Sequence, residues 1–114
     1  MIFVIDDDNT MAECVGRATK KDYVIFDNAI DAMSEIIDGE LPSLIFLDIM
    51  LAGPDGFTFL NEMVSYMDIA RIPTVIFSSL NFEDKDFSEY GVVGVLNKDK
   101  MLPEDIRDYA EKYA

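Results

Sequence analysis

The sequence predicts an α/β fold, a single doubly wound domain in which five short parallel strands alternate with five helices. Two observations predict it. Five short runs of large apolar residues are each followed by a segment with apolar side chains at helical spacing. The strand runs are also apolar throughout, which is typical of parallel strands covered on both faces. The chain of 114 residues has the length of one domain, and we expect that domain to span residues 1–114.

The first strand and helix are predicted at the N-terminus. Ile2–Ile5 form the strand, and three aspartates at residues 6–8 follow it. Thr10 and Glu13 have the spacing of a capping box, which predicts that the first helix begins there. Its predicted apolar face consists of Met11, Cys14, Val15 and Ala18.

The second unit has clear boundaries. Tyr23–Phe26 predict a strand, Asn28 is suited to cap the next helix, and Gly39 is suited to end it. The residues predicted to face the core from this helix are Ile30, Met33, Ile36 and Ile37.

The third strand, predicted at Leu44–Asp48, is central to the pattern. Its four large apolar residues indicate burial on both faces, and the carboxylate of Asp48 then ends the strand. Because α/β proteins bind ligands at the carboxyl ends of their strands, an acid in this place is a candidate functional group. Taken alone, it could equally mark the point at which the strand reaches solvent.

The C-terminal half continues the alternation. A third helix is predicted to begin near Asp55, strand four at Thr74–Phe77, a fourth helix over 81–90, strand five at Val92–Leu96 and a last helix at Pro103. The apolar residues predicted for the last helix are Leu102, Ile106, Tyr109, Ala110 and Tyr113. Right-handed crossovers would place the carboxyl ends of all the strands at one edge of the sheet.

Composition and charge exclude several classes of protein. The chain has 23 acidic and nine basic residues, a formal net charge of −14, so direct binding to nucleic acid or to an anionic membrane is not expected. Cys14 is the only cysteine, which excludes an internal disulfide and a thiolate metal site. The absence of histidine excludes histidine-based acid–base or metal chemistry. Without a long apolar segment or a signal-peptide pattern, we expect a soluble cytoplasmic protein.

Polar side chains end four of the predicted strands and should meet at the carboxyl edge. They are Asp6 and Asp7 after strand one, Asp48 after strand three, Ser78 after strand four and Lys98 after strand five. The three carboxylates carry three negative charges and the lysine offsets one, so a cation would be needed to keep all of them ionised. Mg²⁺ takes carboxylate, water and phosphate oxygens and would balance the sum. Each group alone could be incidental, but together they predict a site for Mg²⁺ and a phosphoryl group.

Four segments together resemble the receiver domain of two-component response regulators, the family of the bacterial chemotaxis response regulator. The segments are Phe3–Asp8, Leu44–Gly56, Pro73–Ser79 and Gly91–Lys98. The resemblance covers the whole chain, and the order and spacing of the segments make it specific. It implies a flavodoxin-like sheet with strand order 2-1-3-4-5, and a phosphoprotein that signals in a phosphorelay rather than an enzyme.

The resemblance also implies how the acids act. Asp48 would be the phosphoacceptor, taking a phosphoryl group from a phosphohistidine on a histidine kinase or a phosphotransfer protein. Asp7, Asp48 and the backbone carbonyl of Met50 would bind Mg²⁺. Asp6 would hold a water molecule bound to the metal.

By the same resemblance, Ser78 would donate its hydroxyl to a phosphoryl oxygen and Lys98 would pair with another. The signal would reach an unidentified downstream protein through the face of the fourth helix, strand five and the last helix. Two positions depart from the family: Val95 replaces an aromatic switch residue, and Asp99 replaces a proline joined to the lysine through a cis bond. A cis bond before any other residue costs about 2.5–4 kcal/mol, so we expect a trans bond, or a reshaped loop that displaces Lys98.

Two other functions remain open at this point. The departures at Val95 and Asp99 suit a degenerate receiver that binds partners without phosphorylation. Separately, residues 6–10 fit the Asp-x-Asp-x-Thr motif of haloacid-dehalogenase-like phosphatases, with Asp6 as nucleophile and Asp8 as acid–base. Against the phosphatase, no acidic pair follows on a further strand, and Asp48 would have no role.

Overall fold

The computed structural model describes residues 1–39, 41–50, 72–79 and 91–114, which contain a five-stranded parallel sheet. Its strand order is β2-β1-β3-β4-β5, and each neighbouring pair is parallel, which confirms the predicted fold class and order. The strands are β1 (Ile2–Ile5), β2 (Tyr23–Phe26), β3 (Leu44–Asp48), β4 (Thr74–Ser78) and β5 (Val92–Asn97). The helices predicted from Asp55 and over 81–90 lie outside the described residues.

The described helices flank this sheet. They are α1 (Asn9–Thr19), α2 (Ala29–Asp38) and the C-terminal helix (Pro103–Tyr113). Asn28 caps α2 as predicted, because its side chain accepts a hydrogen bond from the Asp31 N–H at 2.8 Å, and Gly39 ends the helix. Pro103 takes the first position of the C-terminal helix, where a missing N–H costs nothing. Within the described part of the chain, no helix is long and apolar enough to cross a bilayer.

The start of α1 differs from the prediction. The side chain of Asp8 accepts hydrogen bonds from the N–H groups of Thr10 at 3.0 Å and Met11 at 3.2 Å, so Asp8 is the N-cap. Thr10 lies inside the helix, and Glu13 accepts a hydrogen bond from the Tyr23 hydroxyl at 2.9 Å. The predicted capping box is therefore wrong, because Asp8 satisfies the first free amides of the helix.

Core side chains lie on both faces of the sheet. One cluster lies between the sheet and α2, and its largest members are Phe3, Ile5, Met33, Ile36, Ile45, Leu47, Ile49, Ile72 and Ile76. The other lies under α1 and the C-terminal helix and consists of Ile2, Val4, Ala12, Val15, Leu44, Phe46, Val75, Phe77, Ile106 and Ala110. Every residue of β1, β3 and β4 is buried, which confirms that apolar strands are covered on both faces. These central strands hold the residues at their ends rigidly.

The helices bury part of the faces that apolar spacing predicts, since Val15, Met33, Ile36, Ile106 and Ala110 are buried as expected. Four residues predicted to face the core are exposed instead: Cys14, Ile30, Ile37 and Leu102. Small residues occupy other buried positions, namely Ala12 and Gly16 on α1 and Ala29 and Ala32 on α2. Small side chains allow a helix to approach its neighbours closely: at Gly16 a Cβ atom would overlap the ring of Tyr23. On α1, this close approach to Tyr23 favours a glycine at a buried position.

The register of the sheet aligns the ends of its strands. Ile5 of β1 pairs with Leu47 of β3, so Asp6 and Asp48 each follow a paired residue. Ser78 of β4 pairs with Asn97 of β5, the residue before Lys98. The acids, the serine and the lysine are therefore brought to the same edge, as predicted.

Candidate metal centre at the carboxyl edge of the sheet

Three aspartates converge where β1 and β3 end. Asp6 is fully buried, Asp48 is 2% exposed, and Asp7 is open to solvent. One carboxylate oxygen from each lies within 4.8 Å of the others. Elsewhere in the described ranges, no other group of three acidic side chains comes this close. The cluster predicted from the strand ends is present.

Backbone N–H groups orient the two buried carboxylates. Oδ1 of Asp6 accepts a hydrogen bond from the Asp8 N–H at 2.9 Å, and Oδ1 of Asp48 accepts one from the Met50 N–H at 3.1 Å. Each bond closes a short turn that aspartate forms readily. Both carboxylates are thus held by their own backbone at the ends of adjacent strands, before any ligand binds.

Lys98 supplies positive charge to the cluster. Its Nζ atom lies 3.2 Å from Oδ2 of Asp48 and 3.3 Å from Oδ2 of Asp6, and its side chain is only 14% exposed. The ammonium also lies 5.2 Å from the centre of the Phe77 ring, within range of a cation–π interaction. The backbone N–H of Lys98 donates to the Ser78 carbonyl at 2.9 Å, which joins the ends of β5 and β4.

Burial and charge together raise the pKa of Asp6 to about 6, from an ordinary value of 3.8. Burial is the largest cause, and a hydrogen bond and charge repulsion from Asp48 add to it, whereas the Asp8 N–H and the Lys98 ammonium oppose it. Burial lowers the pKa of Lys98, but the charges of Asp6 and Asp48 outweigh burial, so that its net pKa is raised. The site is therefore short of positive charge.

This pKa predicts how pH affects stability. The folded protein retains the Asp6 proton to about pH 6 and the unfolded chain releases it near pH 3.8, so a stabilising effect present below pH 3.8 is lost as the pH rises through 6. We expect Asp6→Asn to raise the melting temperature of the metal-free protein at pH 7 and to change it little at pH 4. Thermal unfolding in a chelator at both pH values tests this. The exposed control Asp99→Asn should have the wild-type melting temperature at both pH values. An Asp6→Asn variant that melts below wild type at pH 7 would contradict a destabilising charge on buried Asp6.

The donor set fits a hard divalent cation. Three carboxylates carry three negative charges, and Lys98 offsets one of them. Carboxylate oxygens are the ligands that Mg²⁺, Mn²⁺ and Ca²⁺ prefer, and two added positive charges would cancel the excess. Below about pH 6, a cation would compete with the proton that Asp6 retains there.

Adjacent aspartates provide a matched test of the metal site. Asp7→Asn removes one charged oxygen from the cluster, and we expect Mg²⁺ affinity to fall by about a hundredfold. Asp8→Asn keeps a good N-cap for α1 and should change the affinity by less than about threefold. Calorimetric titration with Mg²⁺ measures both constants. Equal losses in the two variants would show that Asp7 has no special part in binding.

The structure brings together four of the predicted site residues: Asp6, Asp7, Asp48 and Lys98. Ser78 is buried at the end of β4, with its backbone carbonyl bonded to the Lys98 N–H. The N–H of Met50 contacts Asp48, and the predicted use of its carbonyl as a metal ligand stays a prediction. The assigned roles of all six residues likewise remain predictions.

The loop after Lys98 follows one of the two expectations. The described residues contain no cis peptide bond, so the Lys98–Asp99 bond is trans, and Lys98 is not displaced from the acids. Sequence reasoning missed the Phe77 ring beside the ammonium and the role of Asn97 in the following turn. An Asn at a strand end is a turn signal and could have indicated the role of Asn97. The position of the Phe77 ring depends on packing across the sheet and has no such local signal.

Comparison with known proteins yields one family. A family described as the response regulator receiver domain matches residues 2–110, and a search of curated proteins gives no significant match. Solved structures of similar fold include the phosphorylated cyanobacterial phytochrome response regulator RcpA, with 23% identity, TM-score 0.81 and coverage of 98% of this chain and 91% of that chain. The Mn²⁺-bound response regulator Rcp1 has 24% identity and a TM-score of 0.75, and the match covers 97% of this chain and 88% of that chain. The receiver domain of NtrX from Brucella abortus has 24% identity and a TM-score of 0.83, and the match covers 99% of this chain and 97% of that chain.

Proposed function

This chain belongs to the response regulator receiver domain family, and from that premise we propose that it accepts a phosphoryl group on Asp48 in a Mg²⁺-dependent step. The donor is the phosphohistidine of a histidine kinase or a phosphotransfer protein. One observation carries the proposal: oxygens of Asp6, Asp7 and Asp48 lie within 4.8 Å of one another, with the Lys98 ammonium 3.2 Å from Asp48. The phosphorylated and Mn²⁺-bound states of RcpA and Rcp1 agree with this use of the cluster.

Asp48 acts as the nucleophile. Its carboxylate is held by the Met50 N–H on Oδ1 and by Lys98 at Oδ2. A carboxylate oxygen attacks phosphorus while the phosphorus–nitrogen bond of the phosphohistidine breaks, and the electron pair leaves with the imidazole nitrogen. The other residues need to supply little covalent chemistry, because catalysis of phosphoryl transfer consists mainly of positioning and charge stabilisation.

The other site residues hold charge in place. The proposed metal ligands are Asp7, Asp48 and the Met50 carbonyl, with Asp6 bound through a water molecule. When bound there, Mg²⁺ offsets the negative charge of the phosphoryl oxygens. The Ser78 hydroxyl and the Lys98 ammonium each contact a phosphoryl oxygen, so Lys98 exchanges part of its pairing with the acids for pairing with the new group.

This exchange supplies the signal. Receiver domains are signalling domains, and the proposed output surface for an unidentified partner consists of the segment over 81–90, β5 and the C-terminal helix. Lys98 directly follows β5, so a change in its partners acts on that strand and on the turn after it. Val95 packs against the core cluster under α2 and has no ring to move, so the readout uses backbone and helix contacts instead.

Mass spectrometry of the intact protein tests the proposal. Incubation with acetyl phosphate and Mg²⁺ should add one phosphoryl group, and a chelator should prevent the addition. Borohydride reduction of the labelled protein followed by peptide mapping should place the modification at Asp48. A protein that gains no mass, with circular dichroism and NMR spectra unchanged by beryllofluoride and Mg²⁺, would favour a degenerate receiver that works without phosphorylation.

One contact argues against the phosphatase alternative. The Asp8 side chain accepts hydrogen bonds from two amides at the start of α1, so it is occupied as a helix cap. The acid–base role that the alternative requires of Asp8 would cost α1 its cap. Turnover of a phosphate monoester that is lost in Asp6→Asn but kept in Asp48→Asn would revive it.

A further inference from the structure

A tight turn follows β5 and is organised by Asn97. The Asn97 side-chain Oδ1 accepts a hydrogen bond from the Asp99 N–H at 2.8 Å. Its backbone carbonyl accepts two more, from the Lys100 N–H at 3.0 Å and the Met101 N–H at 2.8 Å. Three successive amides beyond Lys98 are thus bonded to one residue. The C-terminal helix begins directly afterwards, at Pro103.

Hydrogen bonds on both sides restrain the backbone of Lys98. Its own N–H donates to the Ser78 carbonyl at 2.9 Å, which holds it against the end of β4. On the other side, the Asp99 amide is held by Asn97. The Lys98 backbone therefore has little freedom, although its flanking peptide bond is trans and the next residue is exposed.

This restraint matters because Lys98 must reach two carboxylates at once. Its Nζ lies 3.2 Å from Asp48 and 3.3 Å from Asp6, at the end of a side chain with four rotatable bonds. A long side chain can still reach one partner after its backbone has shifted. Reaching two acids on different strands at once tolerates a smaller backbone shift. An amide or hydroxyl side chain at position 97 is suited to the turn because it can accept the N–H two residues on.

We propose that Asn97 is a positioning residue for Lys98: its side-chain oxygen holds the turn that keeps the ammonium between Asp6 and Asp48. The inference deepens the proposed function, on which it rests for its effect on phosphorylation. It also has a consequence that needs no phosphorylation. The stabilising contact of Lys98 with the acids in the metal-free protein depends on Asn97 too.

A double-mutant cycle tests the proposal in both respects. Asn97→Ala should slow labelling of Asp48 by acetyl phosphate at saturating Mg²⁺ by about three- to tenfold, the worth of one hydrogen bond. Asn97→Ser keeps an uncharged acceptor and should recover most of the rate. In a Lys98→Met background, Asn97→Ala should have almost no further effect, because there is no ammonium left to position.

The same cycle is measured by urea unfolding of the metal-free proteins. Asn97→Ala should lower the free energy of unfolding less in the Lys98→Met background than in the wild-type background. Equal effects of Asn97→Ala in the two backgrounds, in rate and in stability, would overturn the proposal and leave Asn97 a general turn former. If wild type is not labelled at all, the proposed function fails, but the unfolding cycle still decides whether Asn97 positions Lys98.

Discussion

Asp48→Asn is expected to abolish phosphorylation by a small-molecule donor, lowering the rate of labelling by about three orders of magnitude or more. The amide keeps the size of the side chain but removes the nucleophilic oxygen that would bond to phosphorus. A time course of intact mass with acetyl phosphate and Mg²⁺ measures the rate. Asp8→Asn is the control, since Asp8 caps α1 and should leave the rate within about threefold of wild type.

Loss of labelling in Asp48→Asn is separable from loss of fold. Asp48 is almost fully buried beside Asp6, and its charge helps to raise the pKa of Asp6. Removing that charge relieves repulsion, so the metal-free variant should melt at or above the wild-type temperature at pH 7. Labelling of Asp48→Asn at the wild-type rate would mean that another acid, such as Asp6, is the nucleophile.

Lys98→Met is expected to destabilise the metal-free protein by about 3 kcal/mol at pH 7, the usual cost of removing one partner from a buried ion pair. The substitution leaves Asp6 and Asp48 buried beside each other without their shared cation. Methionine is an unbranched apolar side chain of similar shape to the lysine stem, so the change reports mainly on charge. Urea unfolding in a chelator gives the difference in the free energy of unfolding.

Three comparisons make this prediction specific. Lys100→Met, at an exposed position in the same turn, should change stability by less than about 0.5 kcal/mol. Mg²⁺ should recover much of the stability lost in Lys98→Met, because the cation takes over the neutralisation of the acids. Lowering the pH toward 5 should reduce the loss as well, since Asp6 then takes up a proton. A loss that is the same with and without Mg²⁺ would contradict an electrostatic origin.

The strands and the acids of this protein can be predicted from its sequence because both depend on local pattern. A short apolar run such as Leu44–Leu47 is typical of a strand covered on both faces, and all four of its residues are buried. Parallel strands joined by helices then send their carboxyl ends to one edge. These two facts place Asp6, Asp48 and Lys98 at one edge of the sheet, and the strand order implied by the resemblance to receiver domains makes β1 and β3 neighbours there.

The exact helix faces and the electrostatics of the site depend on atoms far apart in the chain, so local pattern does not predict them. Apolar spacing places Ile30 and Ile37 inward together with Met33 and Ile36, but both Ile30 and Ile37 are exposed, and α2 buries its alanines beside Met33 and Ile36. The raised pKa of Asp6 arises from burial and from a carboxylate 42 positions away in the chain. The bridging position of Lys98 requires the paired ends of β4 and β5 and the turn at Asn97. Local sequence encodes which groups are present at the edge, whereas packing sets their separations, their charges and so their chemistry.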